Sequence, residues 1–324
     1  MAHPEPLTVA SPGRWTYFPI EHLDLHEMAQ SAAASMWVAS EIDLEDDAKQ
    51  FKTLNADTQF YLSMVLSFFS CADGLINQNL MEQFLQEVQC KEALAFWSYQ
   101  ICIEQVHNEV YSKLIDKLLT QDQKEKAFSA LTEYPCIKAK CDWCLQYTNP
   151  ETQPLGVRLV AFAICEGLFF AASFASVFYL KMMSGLSMQG LSQANEFISR
   201  DETLHYEFGI QLYNHHIQHK ASEATLLDML TSAVDTEKTF VKTSLPVDLI
   251  GMNSTHMCEY VEFTANRIAK ALKLSTVPYP HAKMPFSFMH AISLGTPKSN
   301  FFEKRDTGYS KFKRSNQIEF NADF

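Results

Sequence analysis

Residues 100–116 read QICIEQVHNEVYSKLID and residues 195–208 read NEFISRDETLHYEF, and these two stretches decide the fold. Each contains an E-x-x-H pair, Glu104 with His107 and Glu202 with His205. Three residues apart on a helix, the two side chains of a pair stand over one turn of the same face. Around the first pair, Ile103, Val106, Val110, Leu114 and Leu118 recur at helical spacing with Gln105, Glu109, Ser112 and Asp116 opposite, so an amphipathic helix is predicted from Trp97 to Leu119. At about 100° per residue, Glu104, His107 and Tyr111 fall on or beside the apolar face, and three inward polar groups need a reason. Leu191 to Tyr213 repeats the logic, with Ile198, Glu202, His205, Gly209 and Leu212 sharing one face.

Working outward, each pair is preceded by an apolar helix bearing a solitary acid: Asp73 in LSFFSCADGLI (66–76) and Glu166 in AFAICEGLFF (161–170). The order acid, E-x-x-H, acid, E-x-x-H is the ligand pattern of di-iron and di-manganese carboxylate four-helix bundles, with one Glu replaced by Asp. Four acids in an apolar core would repel one another and lose their hydration unless cations compensated them. Carboxylate and imidazole without thiolate suit iron or manganese. Chance accounts for one E-x-x-H in a chain this rich in Glu and His, and arginine can satisfy an isolated inward acid. Neither accounts for the whole set. The expected fold is all-α, a ferritin-like helical bundle with a dinuclear metal site in its core.

The rest of the chain is consistent with this. Proline is absent from residues 20–134 and 155–245, and glycine is rare, so both regions are predicted helical, with no competing strand pattern. The 324 residues carry a net charge of −12, which argues against a nucleic-acid partner bound through its phosphates. Residues 159–180 are long and apolar enough to span a bilayer, but Glu166 lies inside them, and a buried core helix is the better reading. The N-terminus lacks the pattern of a secretory signal, so a cytoplasmic protein, bound to no membrane, is expected. Eight cysteines are scattered through helical stretches; Cys141 and Cys144 form a C-x-x-C near Cys136, but no second pair follows at zinc-site spacing, and most are read as reduced core residues. His215, His216 and His219 are read as a solvated run.

At these residues the sequence resembles the small, radical-generating subunit of class I ribonucleotide reductase. WTYFPI (15–20), SMWVASEIDL (35–44), LSFFSCADGLINQN (66–79), the two E-x-x-H stretches, AFAICEGLFFAASFASVFYLK (161–181), FFEKRDTGY (301–309) and the terminal NADF (321–324) resemble family segments in the family's order over nearly the whole chain. The resemblance implies that Asp73, Glu104 and His107 hold one ion and Glu166, Glu202 and His205 the other. Two iron ions are implied, with manganese or a mixed manganese–iron pair as alternatives, and molecular oxygen as the reactant. Tyr111 matches the position oxidised to a stable radical, and Phe170, Phe174 and Ile198 the apolar pocket around it. Trp37, Asp201 and Tyr309 match the chain that carries the oxidising equivalent away. Asp201 also makes sense as a group orienting a ligand histidine, and Arg200 as its salt-bridge neighbour.

The organisation implied is an N-terminal extension (1–20), a ferritin-like helical domain (21–285) and a flexible C-terminal tail (286–324) that docks on the large, catalytic subunit. A homodimer is implied by resemblance. Cys71 and Cys165 depart from the family pattern, standing close to ligands where small residues are common. The competing reading is another oxygen-activating diiron carboxylate oxidase on the same fold, which the absence of Tyr111, Tyr309 and NADF would have favoured. A ferritin-type storage protein is disfavoured by length and tail.

Overall fold

Three of the long helices begin where a short polar side chain satisfies a free amide. In the computed structural model, which describes residues 5–10, 14–183, 188–245 and 252–286, the chain runs through α1 (Leu23–Ser35), α2 (Glu45–Phe51), α3 (Ala56–Asn79), α4 (Leu85–Glu87), α5 (Lys91–Leu118), α6 (Gln121–Phe128), α7 (Ala130–Glu133), α8 (Pro135–Thr148), α9 (Leu155–Ile164), α10 (Ala171–Met183), α11 (Gln189–Gln211), α12 (Glu223–Ser244) and α13 (Ser254–Ala271). Among the described residues there is no strand element. Asn55 accepts from Thr58 N at 2.8 Å to open α3, and Ser222 and Asn253 cap α12 and α13 in the same way.

Helix α11 is capped by a different helix. Asp47 of α2 accepts from Gly190 N at 3.0 Å and Leu191 N at 2.7 Å, a carboxylate on the positive end of the helix dipole. The approach needs glycine, since a Cβ at residue 190 would stand 2.2 Å from the Asp43 carbonyl oxygen.

The four segments that carry the candidate ligands are α3, α5, the continuation of α9 and α11; α3 packs on α5, α9 on α11, and α5 on α11. Every residue of α9 is buried; its one charged side chain, Arg158, is paired with Glu87. Within the stretch Leu155–Lys181, long and apolar enough to cross a membrane, the most apolar 18-residue window is 94% buried in this fold. Close approach between α9 and α11 rests on small residues: Gly209 faces Ala163, and a Cβ on Gly167 would lie 2.7 Å from the Tyr206 ring.

Three helices continue into π turns, at Leu80–Phe84, Cys165–Phe169 and Leu212–His216. The second carries Glu166, so the acid expected on a regular helix sits on a one-residue bulge, a local feature frequent at functional sites. A buried ion pair supports it from behind. Lys140 Nζ lies 2.7 Å from Glu237 Oε2, both side chains fully buried, and donates to the Phe169 carbonyl at 2.8 Å with the Phe68 ring 3.2 Å away. The described part of the N-terminal extension packs onto this body: Leu7 is buried, and Arg14 pairs with buried Glu92 at 2.6 Å.

Candidate metal centre

The helical periodicity delivers six donor side chains to one interior point. Asp73 and Glu104 are fully buried with His107, and Glu166, Glu202 and His205 are each only 2% exposed. They form two overlapping sets, Asp73–Glu104–His107 and Glu104–Glu166–Glu202–His205, within each of which donor atoms lie within 4.8 Å of one another. Glu104 belongs to both. His205 Nδ1 faces Glu104 Oε1 at 2.9 Å and Glu202 Oε2 at 3.0 Å, and His107 Nδ1 faces Glu202 Oε1 at 3.0 Å and Glu104 Oε2 at 3.3 Å.

Much of this donor set is unspent. Both oxygens of Asp73, Glu104 Oε2, Glu166 Oε2, Glu202 Oε1 and His107 Nδ1 have no hydrogen-bond partner, although His107 Nδ1 stands at ion-pair distance from two carboxylates. Buried polar atoms are ordinarily satisfied, so a convergent group of orphaned anionic oxygens is the mark of a cation site. Titration behaviour agrees. Burial, then the charges of Glu104 and Glu202, push the Asp73 carboxyl well above its usual range, and burial with Glu202 and Glu104 does the same to Glu166. His205 is raised to about 9 against the opposing effect of burial, chiefly by the charge of Glu104. His107 is raised too: burial opposes, and the hydrogen bond to Asp201 with the nearby carboxylates of Glu104 and Glu202 prevails. Glu202 goes the other way, because its two histidine contacts outweigh burial. Protons here carry charge that divalent ions would otherwise supply.

Around the donors lies a supporting layer. His107 Nε2 lies 3.1 Å from Asp201 Oδ2, which also accepts from the Trp37 indole at 2.7 Å. The Trp37 and His107 rings stack with centroids 5.9 Å apart. Arg200 donates to Asp201 Oδ1 at 2.8 Å and to the Ser35 carbonyl at 2.9 Å, tying α11 to the end of α1. Tyr111 is 3% exposed, its hydroxyl has no hydrogen-bond partner, and burial with the charges of Asp73 and Glu202 raises its pKa well above the usual phenol value. Phe170, Phe174 and Ile198 are buried.

Sequence reasoning missed three members. Phe69 stacks on Tyr111 with centroids 4.8 Å apart, and on Phe170 at 5.4 Å, so it is the ring that joins the tyrosine to the pocket. Gln100 is 1% exposed and donates to Glu166 Oε1 at 3.0 Å. Its position one turn before Glu104 was the available signal. Lys140, holding the Glu166 bulge, left only the trace of a lysine in an apolar stretch. His216 is not simply solvated: it lies 2.7 Å from Asp24 Oδ2, whereas His215 and His219 are exposed. Tyr309 and the NADF terminus lie outside the described residues.

Comparison with known proteins converges on one family. The family model "Ribonucleotide reductase, small chain" matches residues 14–283. Ribonucleoside-diphosphate reductase subunit M2 of Mesocricetus auratus is 44% identical over 99% of this chain and 82% of its own length. The ribonucleoside-diphosphate reductase small chain of vaccinia virus (strain Western Reserve) is 40% identical over 99% of this chain and all of its own. Among solved structures, the Rnr4 homodimer of Saccharomyces cerevisiae superposes with a TM-score of 0.79 at 30% identity, covering 92% of this chain and 90% of that one. The dimanganese NrdF of Streptococcus sanguinis shares the fold, with a TM-score of 0.72 at 15% identity over 80% of this chain and 91% of its own. With two overlapping donor sets at its centre and a family match over most of its length, this chain belongs to the ribonucleotide reductase small-chain family.

Proposed function

We propose that this chain generates and stores a tyrosyl radical at Tyr111 and supplies it to a separate large subunit for reduction of ribonucleoside diphosphates to deoxyribonucleotides. The observation that carries the reading is a buried tyrosine without a hydrogen bond, one helical turn from His107 in a member of this family. Asp73, Glu104 and His107 would hold one ion and Glu166, Glu202 and His205 the other, with Glu104 within reach of both. Bound there, iron, or alternatively manganese or a mixed pair, supplies oxygen-dependent one-electron oxidation.

The chain's own groups do the rest. The Tyr111 phenol stays protonated until oxidised, so electron and proton must leave together. Phe69, Phe170 and Phe174 exclude water from the product radical, with buried Ile198 completing the apolar surroundings. Asp201 fixes the ring of His107 and joins it to Trp37, the first two links of an outward path continued by Tyr309. The C-terminal tail ending in NADF docks on the large subunit, and two copies of this chain form a homodimer in the cytoplasm; the homodimeric yeast relative supports the pairing.

Electron paramagnetic resonance on metal-free protein reconstituted with ferrous iron and oxygen tests this. An organic radical signal in wild type, absent in Tyr111→Phe with metal content unchanged, is the expected result. Two bound irons with no radical would overturn the Tyr111 assignment and favour a manganese cofactor or another diiron oxidase.

A further inference from the structure

Behind the metal site, between α3, α8 and the π turn that carries Glu166, four thiols gather from three separate segments. Cys71 Sγ of α3 and Cys141 Sγ of α8 lie 3.9 Å apart. One turn on, Cys144 stands on the wall of the same cavity as Cys165. Cys141, Cys144 and Cys165 line a cavity of about 20 Å³ together with Phe68, Phe170 and Lys140. That volume holds a water molecule or a comparably small solute. Cys71 is partly exposed and Cys141 buried. All four are free thiols.

We propose that Cys71 and Cys141 form an oxidation site that closes to a disulfide, linking α3 to α8 two residues before Asp73. The oxidant class is a peroxide. Cys71, the accessible partner, attacks the O–O bond to give a sulfenic acid with release of water, and Cys141 then displaces the sulfenic hydroxyl as a second water. Two thiols lose two electrons and two protons, and one peroxide gains them. The geometry requires little travel: sulfurs already in contact at 3.9 Å must approach to about 2.0 Å. That approach draws the segment carrying Cys71 and Asp73 toward α8. Resting on the metal-centre reading, the consequence is that the oxidised chain loads metal poorly and a dithiol restores it.

The test uses the full chain, purified metal-free and reduced, then treated with hydrogen peroxide, quenched with N-ethylmaleimide, digested and mapped by mass spectrometry. A Cys71–Cys141 cross-linked peptide is expected, reversed by dithiothreitol, abolished in Cys71→Ala and Cys141→Ala, and retained in Cys144→Ala. In Cys141→Ala a sulfenic acid at Cys71 should be trapped by dimedone. Recovery of Cys71 and Cys141 both alkylated after oxidation would overturn the proposal. Ferrous uptake is measured on portions of the reduced and peroxide-treated chain set aside before alkylation and digestion: two ions in the reduced chain and at least one fewer in the cross-linked chain. Full uptake by the cross-linked chain would overturn its effect on loading. Failure of the reduced chain to bind iron would count against the metal-centre reading and leave the disulfide map standing.

Discussion

The indole N–H of Trp37 donates to Asp201 at 2.7 Å, and the oxygen that receives it is the one facing His107 Nε2. One carboxylate oxygen therefore orients a metal-facing imidazole and ties it to a tryptophan at the edge of the bundle. Removing either neighbour should have a different effect. Asp201→Ala leaves His107 without the group that fixes its ring, and metal affinity should fall roughly 10- to 100-fold, as measured by competition with a chelator. Trp37→Phe should keep both ions and the radical, and lose turnover with the large subunit.

Tyr111→Phe removes a buried hydroxyl that has no partner. No hydrogen bond is lost, so the melting temperature should stay within about 2 °C of wild type or rise slightly, while the radical signal disappears. Differential scanning calorimetry beside paramagnetic resonance separates the two effects.

Asp73→Asn should act with opposite sign on the two forms of the protein. Without metal, Asp73 is a buried carboxyl held well above its usual range, so it opposes folding once pH exceeds the range of a free carboxyl. The amide removes that opposition, and the metal-free variant should melt a few degrees higher than wild type at pH 8. With ferrous iron present, the variant should melt lower, because a ligand is gone and stabilisation by metal binding shrinks.

The pH dependence of the metal-free protein has a definite sign. His205 is raised to about 9 from 6.5, so its stabilising effect is complete below pH 6.5 and is lost as pH rises through 9. Asp73 and Glu166, raised above the free-carboxyl range, also bind protons that the unfolded chain releases, so they too make stability fall as pH rises above that range. The melting temperature should therefore drop between pH 6.5 and 9. Metal uptake should show the reverse trend, strengthening as pH rises because ions displace those protons. Melting scans and equilibrium dialysis across this range check both.

Lys140→Met leaves the fully buried Glu237 without its cation, and should destabilise by about 3–5 kcal/mol. Adding Glu237→Leu should recover most of that loss, because two apolar groups replace two charges. The double variant still lacks the bond to the Phe169 carbonyl, so any residual change in iron affinity reports on the bulge that carries Glu166.

How much of this was legible in the sequence depended on the range of each interaction. The ligand set lies within helical repeats, and a spacing of three residues or one apolar turn is a local property, so Glu104, His107, Glu202 and His205 could be placed from their own neighbourhoods. Gln100 was within the same reach and was passed over because a glutamine on a mixed face carries no signal of its own. Phe69 looked like any core phenylalanine until α5 brought Tyr111 against it. The π turn at Cys165–Phe169 was hidden because a lone glycine in CEGLF is tolerated in a regular helix and does not by itself mark a bulge; the turn is held from outside, through Lys140 of α8. Breaks at residues 52–55 and 88–90 carry no proline; the first ends at the local cap Asn55, and the long-range Arg14–Glu92 pair anchors the first turn of the helix after the second.

The contact between α9 and α11 has a consequence for how such a site can vary. A Cβ on Gly167 would stand 2.7 Å from the Tyr206 ring and one on Gly209 3.2 Å from the Ala163 Cβ, so the gap between two of the segments that carry candidate ligands is kept close by glycine. The interior therefore works as a fixed-gauge jig. Side chains around the ions can change the metal's chemistry while its spacing stays constant, whereas a methyl group at residue 167 would spread the jaws and alter every ligand distance together.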